Sequence, residues 1–184
     1  NKAMAKAYKP ARERITEFKI NWNIVSWPGK AWAKRVFPEL DTDEAVVKLA
    51  DAIFDASRAS VDDPVKAWDD HNEKLRIKTN WLNDQNFAAL QYNGPNTNLR
   101  VGLADDHEWM GGASKAQNGI ICNPNIPSEE VFTTPHAYKV EGTVVSTKPL
   151  SYQGTLIENI KVTFKEGKIV EASASKGQEV LNKV

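Results

Sequence analysis

The spacing of apolar residues changes near Phe87, and this change restricts the chain to folds in which helices come first and strands follow. Before Phe87, apolar side chains recur every three or four residues, which is typical of amphipathic helices. After it, short alternating runs are separated by Gly, Pro and Asn, which indicates strands joined by tight turns. The pattern predicts an α+β fold, with helices in the first half and an antiparallel, meander-like, β-rich second half.

Two helices are predicted from the residues that begin them. Asp41 stands three residues before Glu44, the spacing of a capping pair, and apolar residues at helical spacing follow. Asp63 and Pro64 supply a cap and a first-turn proline for a longer helix that ends near Asn83. Both helices fall in the first half of the chain, as the overall pattern requires.

Strands are predicted wherever apolar and polar residues alternate. The first such run is 16–25, where the alternation extends from Phe18 to Ile24. The remaining predicted strands lie in the second half, at 87–92, 99–103, 138–147, 154–164 and 168–174. The last residues, 175–184, indicate the start of a helix.

The composition argues against several classes of partner. Lys and Arg together number 24, as do Asp and Glu, so net charge gives no reason to expect nucleic acid or an anionic membrane. No apolar run reaches the roughly 18–20 residues of a membrane span, and the first ten residues lack the apolar stretch of a signal peptide. The single cysteine, Cys122, cannot form an intramolecular disulfide, which favours the cytoplasm.

One segment between prolines carries residues suited to chemistry. From Pro127 the sequence continues Ser-Glu-Glu-Val-Phe and soon reaches His136, so that Glu129 and Glu130 form an adjacent carboxylate pair. Motifs of nucleotide binding, serine hydrolases, zincins and zinc ribbons are absent from the sequence. The pair is either part of a solvated loop or a contribution to a metal site, which needs three or more protein ligands. The residues alone leave both interpretations open.

Histidines and tryptophans have structural interpretations as well as functional ones. His71 lies on the helix side that carries Trp68 and Leu75, which favours a packed, hydrogen-bonded histidine over a metal ligand. His136 follows the carboxylate pair closely enough to face the same cleft, where it would contact substrate or an ordered water. The six tryptophans are expected in a core or an interface rather than in a sugar-binding platform.

Short segments spread over nearly the whole sequence match those of one enzyme family in order and spacing. They include Trp32-Ala33, Val36-Phe37-Pro38, Ala52-Ile53-Phe54, Asp63 to Trp68 with His71, Val101-Gly102-Leu103, Pro127 to Phe132 and Val140-Glu141-Gly142. With these segments the chain closely resembles the aminopeptidase T and aminopeptidase S family of metalloaminopeptidases, also called thermophilic aminopeptidases.

This resemblance implies hydrolysis of N-terminal residues from peptides by a pair of divalent ions, which are zinc, cobalt or magnesium according to the member. The second glutamate of the family's Pro-(Ser/Thr)-Glu-Glu-Val-Phe motif is a metal ligand, and Glu130 occupies that position here. Glu129 is then the neighbour that positions it. The family's other ligands, which are a glutamate, two histidines and an aspartate, are expected after Val184.

The resemblance also implies that residues 1–184 form the central part of a longer catalytic region. The helical part is expected at 1–84 and the β-rich part at 85–174, with an α/β domain before the chain and the remaining ligands after it. We expect such a piece to be inactive alone. Two alternatives stay open: an inactive structural or dimerisation fragment, since relatives are dimers, and a non-enzymatic β-sheet binding module.

One turn departs from the family pattern. Where relatives have Gly-Pro-Gly-Thr-Asp-Leu, this chain has Asn96 and Asn98 in place of the second glycine and the acidic residue. Because asparagine tolerates left-handed backbone, the hairpin is expected to survive the change.

Overall fold

The computed structural model describes residues 2–183. The helices are α1 (Lys2–Thr16), α2 (Lys30–Val36), α3 (Thr42–Ala56), α4 (Pro64–Gln85) and α5 (Gln178–Leu181). The strands are β1 (Ile24–Val25), β2 (Ala89–Gly94), β3 (Thr97–Leu103), β4 (Met110–Gly111), β5 (Ser114–Lys115), β6 (Ile121–Cys122), β7 (Asn125–Ile126), β8 (Val131–Phe132), β9 (Pro135–Val145), β10 (Leu150–Tyr152), β11 (Thr155–Ile157), β12 (Lys161–Lys165) and β13 (Lys168–Ser173). The predicted α+β class, with helices first and antiparallel strands second, is confirmed.

Both predicted helix starts are confirmed. The Asp41 carboxylate accepts hydrogen bonds from the backbone N–H groups of Asp43 and Glu44, and these bonds lower the pKa of Asp41. The Asp63 carboxylate accepts from the backbone N–H of Lys66 at the start of α4. Since each cap satisfies amide groups that the first helical turn leaves unpaired, local residues are enough to set both starts.

The predicted strand at 16–25 is wrong, except for its last two residues. The helix α1 runs to Thr16, and within 16–25 only Ile24–Val25 form a strand. The carbonyl of Phe18 accepts from the N–H of Gln117, and the N–H of Ile24 donates to Pro124. These backbone groups therefore bond to a remote segment at separate points, and no continuous ladder forms.

Three helices, α1, α3 and α4, end in left-handed backbone that does not use glycine, and α4 does so with Asn86, a residue that tolerates it. At the end of α3, the N–H of Ala59 donates to Phe54 and the N–H of Arg58 donates to Asp55, which is the Schellman pattern. Arg58, at the left-handed position, has a φ of 58°. Because glycine is the usual residue there, an arginine costs about 1–2 kcal/mol in backbone strain.

The end of α1 repeats this arrangement. The N–H of Lys19 donates to Arg14 and the N–H of Phe18 donates to Ile15. Phe18 then occupies the left-handed position with a φ of 53°. Each of these two helices thus ends on a large side chain where the backbone favours glycine.

The chain divides into two compact units. The first contains the residues up to Trp81 together with Met110–Phe132, and the second contains Leu82–Trp109 together with the residues from Thr133 onward. In the first unit, α2 and α3 pack around Ala33, Ala45 and Leu49. None of the helices within residues 2–183 is long and apolar enough to cross a bilayer.

A five-stranded antiparallel sheet forms most of the second unit. Its strand order is β13-β12-β9-β3-β2, so neighbouring strands follow one another along the chain apart from the segments inserted between them. The predicted hairpin of β2 and β3 is confirmed, and Asn96 takes a φ of 56° in its turn. Leu103 of β3 pairs with Pro135 of β9, and the sequence between these two residues includes the glutamate pair.

Two details of the predicted strands and helices change. The predicted run at 154–164 is two strands, β11 and β12, because the chain bends at Asn159, where φ is 52°. The helix expected in 175–184 is limited to α5, and Val184 lies outside the described residues. The bend lets β11 pair with β10 while β12 joins the main sheet.

A glycine in the centre of the sheet provides a test of this register. Gly142 in β9 has a φ of 109°, and a Cβ there would lie 2.1 Å from the carbonyl oxygen of Asn98. We expect Gly142→Ala to lower the free energy of unfolding by at least about 1 kcal/mol, measured by urea denaturation. Gly94→Ala is the control, because nothing lies within 4 Å of a Cβ at that position. Equal stability of the two variants would contradict the register.

Candidate functional site

The predicted site segment, 127–130, is fixed on both sides by short ladders within the first unit. Before it, β7 pairs in parallel with β1. After it, β8 pairs with β4, and this pairing needs a glycine because a Cβ on Gly111 would lie 2.7 Å from the carbonyl oxygen of Glu130. The glutamate pair is therefore on a short stretch of chain that is held by backbone pairing at both ends.

Arg58 binds Glu129 through a bidentate ion pair. Its Nη1 donates to Oε1 of Glu129 at 2.5 Å, and its Nη2 donates to Oε2 at 3.0 Å. The shared hydrogen bonds lower the pKa of the Glu129 carboxyl and raise the pKa of the Arg58 guanidinium. The planar fork of arginine matches both carboxylate oxygens, so it fixes orientation as well as charge.

His71 binds the same segment through the backbone. Its Nε2 lies 2.7 Å from the carbonyl oxygen of Ser128, and its Nδ1 lies 3.2 Å from Nη2 of Arg58. A carbonyl can only accept and a guanidinium can only donate, so the neutral imidazole carries its hydrogen on Nε2. The histidine is 9% exposed and fully used by these bonds, which confirms the prediction that it is a packed, hydrogen-bonded group.

Trp68 completes the support around Arg58. The guanidinium carbon of Arg58 lies 5.2 Å from the centre of the Trp68 ring, within the range of a cation–π contact. The Trp68 indole donates to the carbonyl of Ser57 at 2.8 Å, and its ring meets His71 edge to face. Arg58, Trp68 and His71 thus form one connected cluster, which we call the Arg58 cluster.

Glu130 lines a concave surface of the same unit. Together with Ser128 and largely apolar neighbours, including Phe18, Trp22 and Phe132, its exposed side chain borders a cavity of about 420 Å³. The Trp22 indole nitrogen is buried and has no hydrogen-bond partner among residues 2–183. A carboxylate at an apolar cavity is an arrangement that suits binding of a cation or an amine.

Residues 2–183 supply one candidate metal ligand, Glu130, rather than a complete metal site. Among the described residues, no three His, Cys, Asp or Glu side chains come together in a way that could hold a metal ion. Glu129 is a poor candidate for a second ligand in this arrangement, because both of its carboxylate oxygens bind Arg58. A two-metal centre would therefore require ligands from outside residues 2–183.

His136 is placed in the second unit, in β9. Its Nδ1 accepts a hydrogen bond from the backbone N–H of Tyr138 at 3.1 Å, and the two rings meet edge to face. Its Nε2 therefore carries the hydrogen when the ring is neutral. The half-buried ring is held by local contacts, and its predicted role toward substrate stays a prediction.

The tryptophans divide into two groups. Trp22, Trp68 and Trp109 are half-buried, whereas Trp27, Trp32 and Trp81 are exposed on this chain. None of the six belongs to the fully buried core, so their predicted place in a core or an interface stays a prediction.

Arg58 is the functional candidate that sequence reasoning missed. It follows α3 and has no motif around it, and its partner is 71 residues away. The sequence alone does not single out Arg58, because a helix end without glycine does not by itself indicate strained backbone.

Comparison with known proteins agrees with the motifs. The sequence profile of the thermophilic metalloprotease (M29) family matches residues 1–184. The chain belongs to this family. The resemblance inferred from the motifs is therefore confirmed.

Among M29 relatives, aminopeptidase T of Thermus thermophilus is 51% identical over 183 residues, which cover all of this chain and 45% of that protein. Aminopeptidase 2 of Geobacillus stearothermophilus is 44% identical over 98% of this chain and 44% of its own length. The structure of wild-type AmpT from Thermus thermophilus superposes with a TM-score of 0.89 at 49% identity, covering 97% of this chain and 44% of that one. The chain thus spans less than half the length of the M29 relatives it matches.

The Arg58–Glu129 pair predicts a pH dependence of stability. Because folding lowers the pKa of Glu129, the pair stabilises the chain above the unfolded-state pKa of about 4.3 and loses this effect as the pH falls through the folded-state value. With Glu129 60% exposed, we expect Glu129→Gln to cost no more than about 1 kcal/mol at pH 7 and nothing near pH 2.

Urea denaturation from pH 2 to 7 measures this difference. Glu39→Gln is the matched control, because Glu39 is exposed and has no ion pair among residues 2–183. A Glu129→Gln penalty that persists unchanged at low pH would show that the ion pair is not its source.

Proposed function

We propose that this chain is the central part of a two-metal aminopeptidase that hydrolyses N-terminal residues from peptides. The observation that carries the proposal is the position of Glu130, on a fixed segment at the edge of a cavity. The family match and the aminopeptidases among its relatives support the same activity. In this proposal Glu130 is a metal ligand and Glu129 is the neighbour that fixes its segment.

The metal ions would supply the chemistry that the chain itself lacks, by polarising the scissile carbonyl and activating a water at neutral pH. The residues of this chain would bind the metal ions and orient the groups around them. Glu130 supplies a carboxylate oxygen, the preferred kind of ligand for hard divalent cations and an acceptable one for zinc. Zinc, cobalt and magnesium are all compatible with such a ligand, so its chemistry does not select among them.

The apolar side of the cavity suits the substrate's N-terminal residue. Phe132 is 53% exposed and Met110 is 48% exposed, and both line the cavity that Glu130 borders. An apolar side chain of a peptide would bury part of this surface, at about 25 cal/mol for each Å² removed from water. His136 remains a candidate for contact with substrate or an ordered water.

The binding-module alternative gains little support. Within the five-stranded sheet the exposed tyrosines are Tyr92 in β2 and Tyr138 in β9, and none of the five strands contains a tryptophan. A ligand platform on a sheet would use a row of exposed aromatics on one face. We therefore favour the peptidase, acting in the cytoplasm as a homodimer on peptides rather than on nucleic acid or membranes.

Glu130→Gln in the full-length parent enzyme tests the role of this residue. The substitution keeps the shape of the side chain and removes its charge, so the melting temperature of the metal-free enzyme should stay near the wild-type value. We expect kcat for release of an N-terminal residue from an aminoacyl p-nitroanilide to fall by more than about 100-fold, because loss of groups that merely support a ligand already costs 10–100-fold.

Glu39→Gln serves again as the control and should keep full activity, since Glu39 is an exposed residue outside the cavity. Wild-type turnover by the Glu130→Gln enzyme would remove the basis of the proposed function.

The isolated 184-residue chain provides a second test. It contributes one candidate ligand among its described residues, so we expect no bound metal pair and no aminopeptidase activity. Metal content by mass spectrometry and release of p-nitroaniline measure both properties. Metal-dependent turnover by this chain would show that ligands from elsewhere are dispensable.

A further inference from the structure

Arg58 introduces backbone strain at the end of α3 that a glycine would avoid. Arg58 takes a φ of 58° at the left-handed position of a Schellman motif, where glycine adopts the same backbone without a Cβ clash. Residues kept in unfavourable backbone regions cluster at functional sites, where their side chains have a task. The question is therefore what the Arg58 side chain does.

All the polar contacts of the Arg58 guanidinium lead toward the segment that carries Glu130. The group binds both carboxylate oxygens of Glu129, and it also contacts the His71 ring, which donates to the carbonyl of Ser128. Two consecutive residues before Glu130 are thus held from one point, one by its side chain and one by its backbone. Arg58 is 25% exposed and Glu129 is 60% exposed, so the pair fixes the segment through its bidentate geometry rather than through burial.

Phe18 provides an independent parallel. It is a second large residue in the left-handed position at a helix end, and it lines the cavity that Glu130 borders. Its ring also meets Trp22 edge to face, and Trp22 lines the same cavity. At two helix ends, then, a residue less favourable than glycine directs its side chain to the surroundings of one glutamate.

We propose that Arg58 is a positioning residue, which fixes the Ser128–Glu130 segment through Glu129 and His71 and thereby sets where the Glu130 carboxylate stands. The role of Glu130 in this inference rests on the proposed function, but the fixing of the segment does not. Arg58 itself contacts neither the cavity nor Glu130. Its effect on Glu130 is transmitted through Glu129 and His71.

Arg58→Gly in the full-length parent enzyme separates this role from a structural one. Glycine relieves the backbone strain, so the melting temperature should stay unchanged or rise. Loss of the guanidinium frees the segment, so amide hydrogen exchange should accelerate in peptides that cover 123–132 and stay unchanged elsewhere. We expect kcat to fall about 10- to 100-fold with little change in KM.

Two further variants sharpen the comparison. Arg58→Lys keeps the charge but loses the planar fork, so protection of 123–132 and kcat should lie between those of wild type and Arg58→Gly. Gln153→Gly relieves left-handed strain at a φ of 48° in the exposed turn of β10 and β11, and should leave exchange in 123–132 and kcat at wild-type values.

Wild-type exchange in 123–132 for Arg58→Gly would overturn the proposal. So would a lower melting temperature with faster exchange throughout the protein, since that result describes a residue needed for folding. If the wild-type enzyme releases no N-terminal residue, the proposed function fails. Exchange alone then decides whether Arg58 fixes the segment.

Discussion

The ion pair between Arg58 and Glu129 connects the helical part of the first unit to the segment on which the candidate site depends. One partner lies at the end of α3, and the other lies between two short ladders. Because the guanidinium also contacts His71 on α4, two helices act on the same few residues. The site is therefore positioned by long-range side-chain contacts, since the ladders on either side are only two residues long.

The adjacent glutamates have different environments, and this difference is consistent with the separate roles that we propose for them. Glu129 has both carboxylate oxygens occupied by arginine, whereas Glu130 borders a cavity with apolar walls. A carboxylate already paired with a guanidinium is a poor ligand for a cation, because the two positive partners compete for the same oxygens. Glu129 can thus help to position Glu130, although the two side chains are chemically the same.

Sequence reasoning succeeded where a structure depends on neighbouring residues and failed where it depends on distant ones. The caps at Asp41 and Asp63 act within one helical turn, so both helix starts could be predicted. The alternation after Phe18 resembled a strand, but its backbone groups bond to residues about 100 positions away. The role of Arg58 was hidden for the same reason. Glu130 was proposed as a ligand through family resemblance alone, because an acidic pair in a loop is otherwise ambiguous.

The pairing of Leu103 with Pro135 has a consequence for how this architecture can vary. The chain leaves the main sheet after β3 and returns at the first residue of its neighbour β9, so the whole excursion between them begins and ends at one rung. Closing such an excursion becomes only about 0.6 kcal/mol harder when its length doubles. Changes of length in the turns of this excursion need not alter the pairing of β3 with β9. The surroundings of the glutamate pair can thus differ between relatives while the pairing of β3 with β9 stays the same.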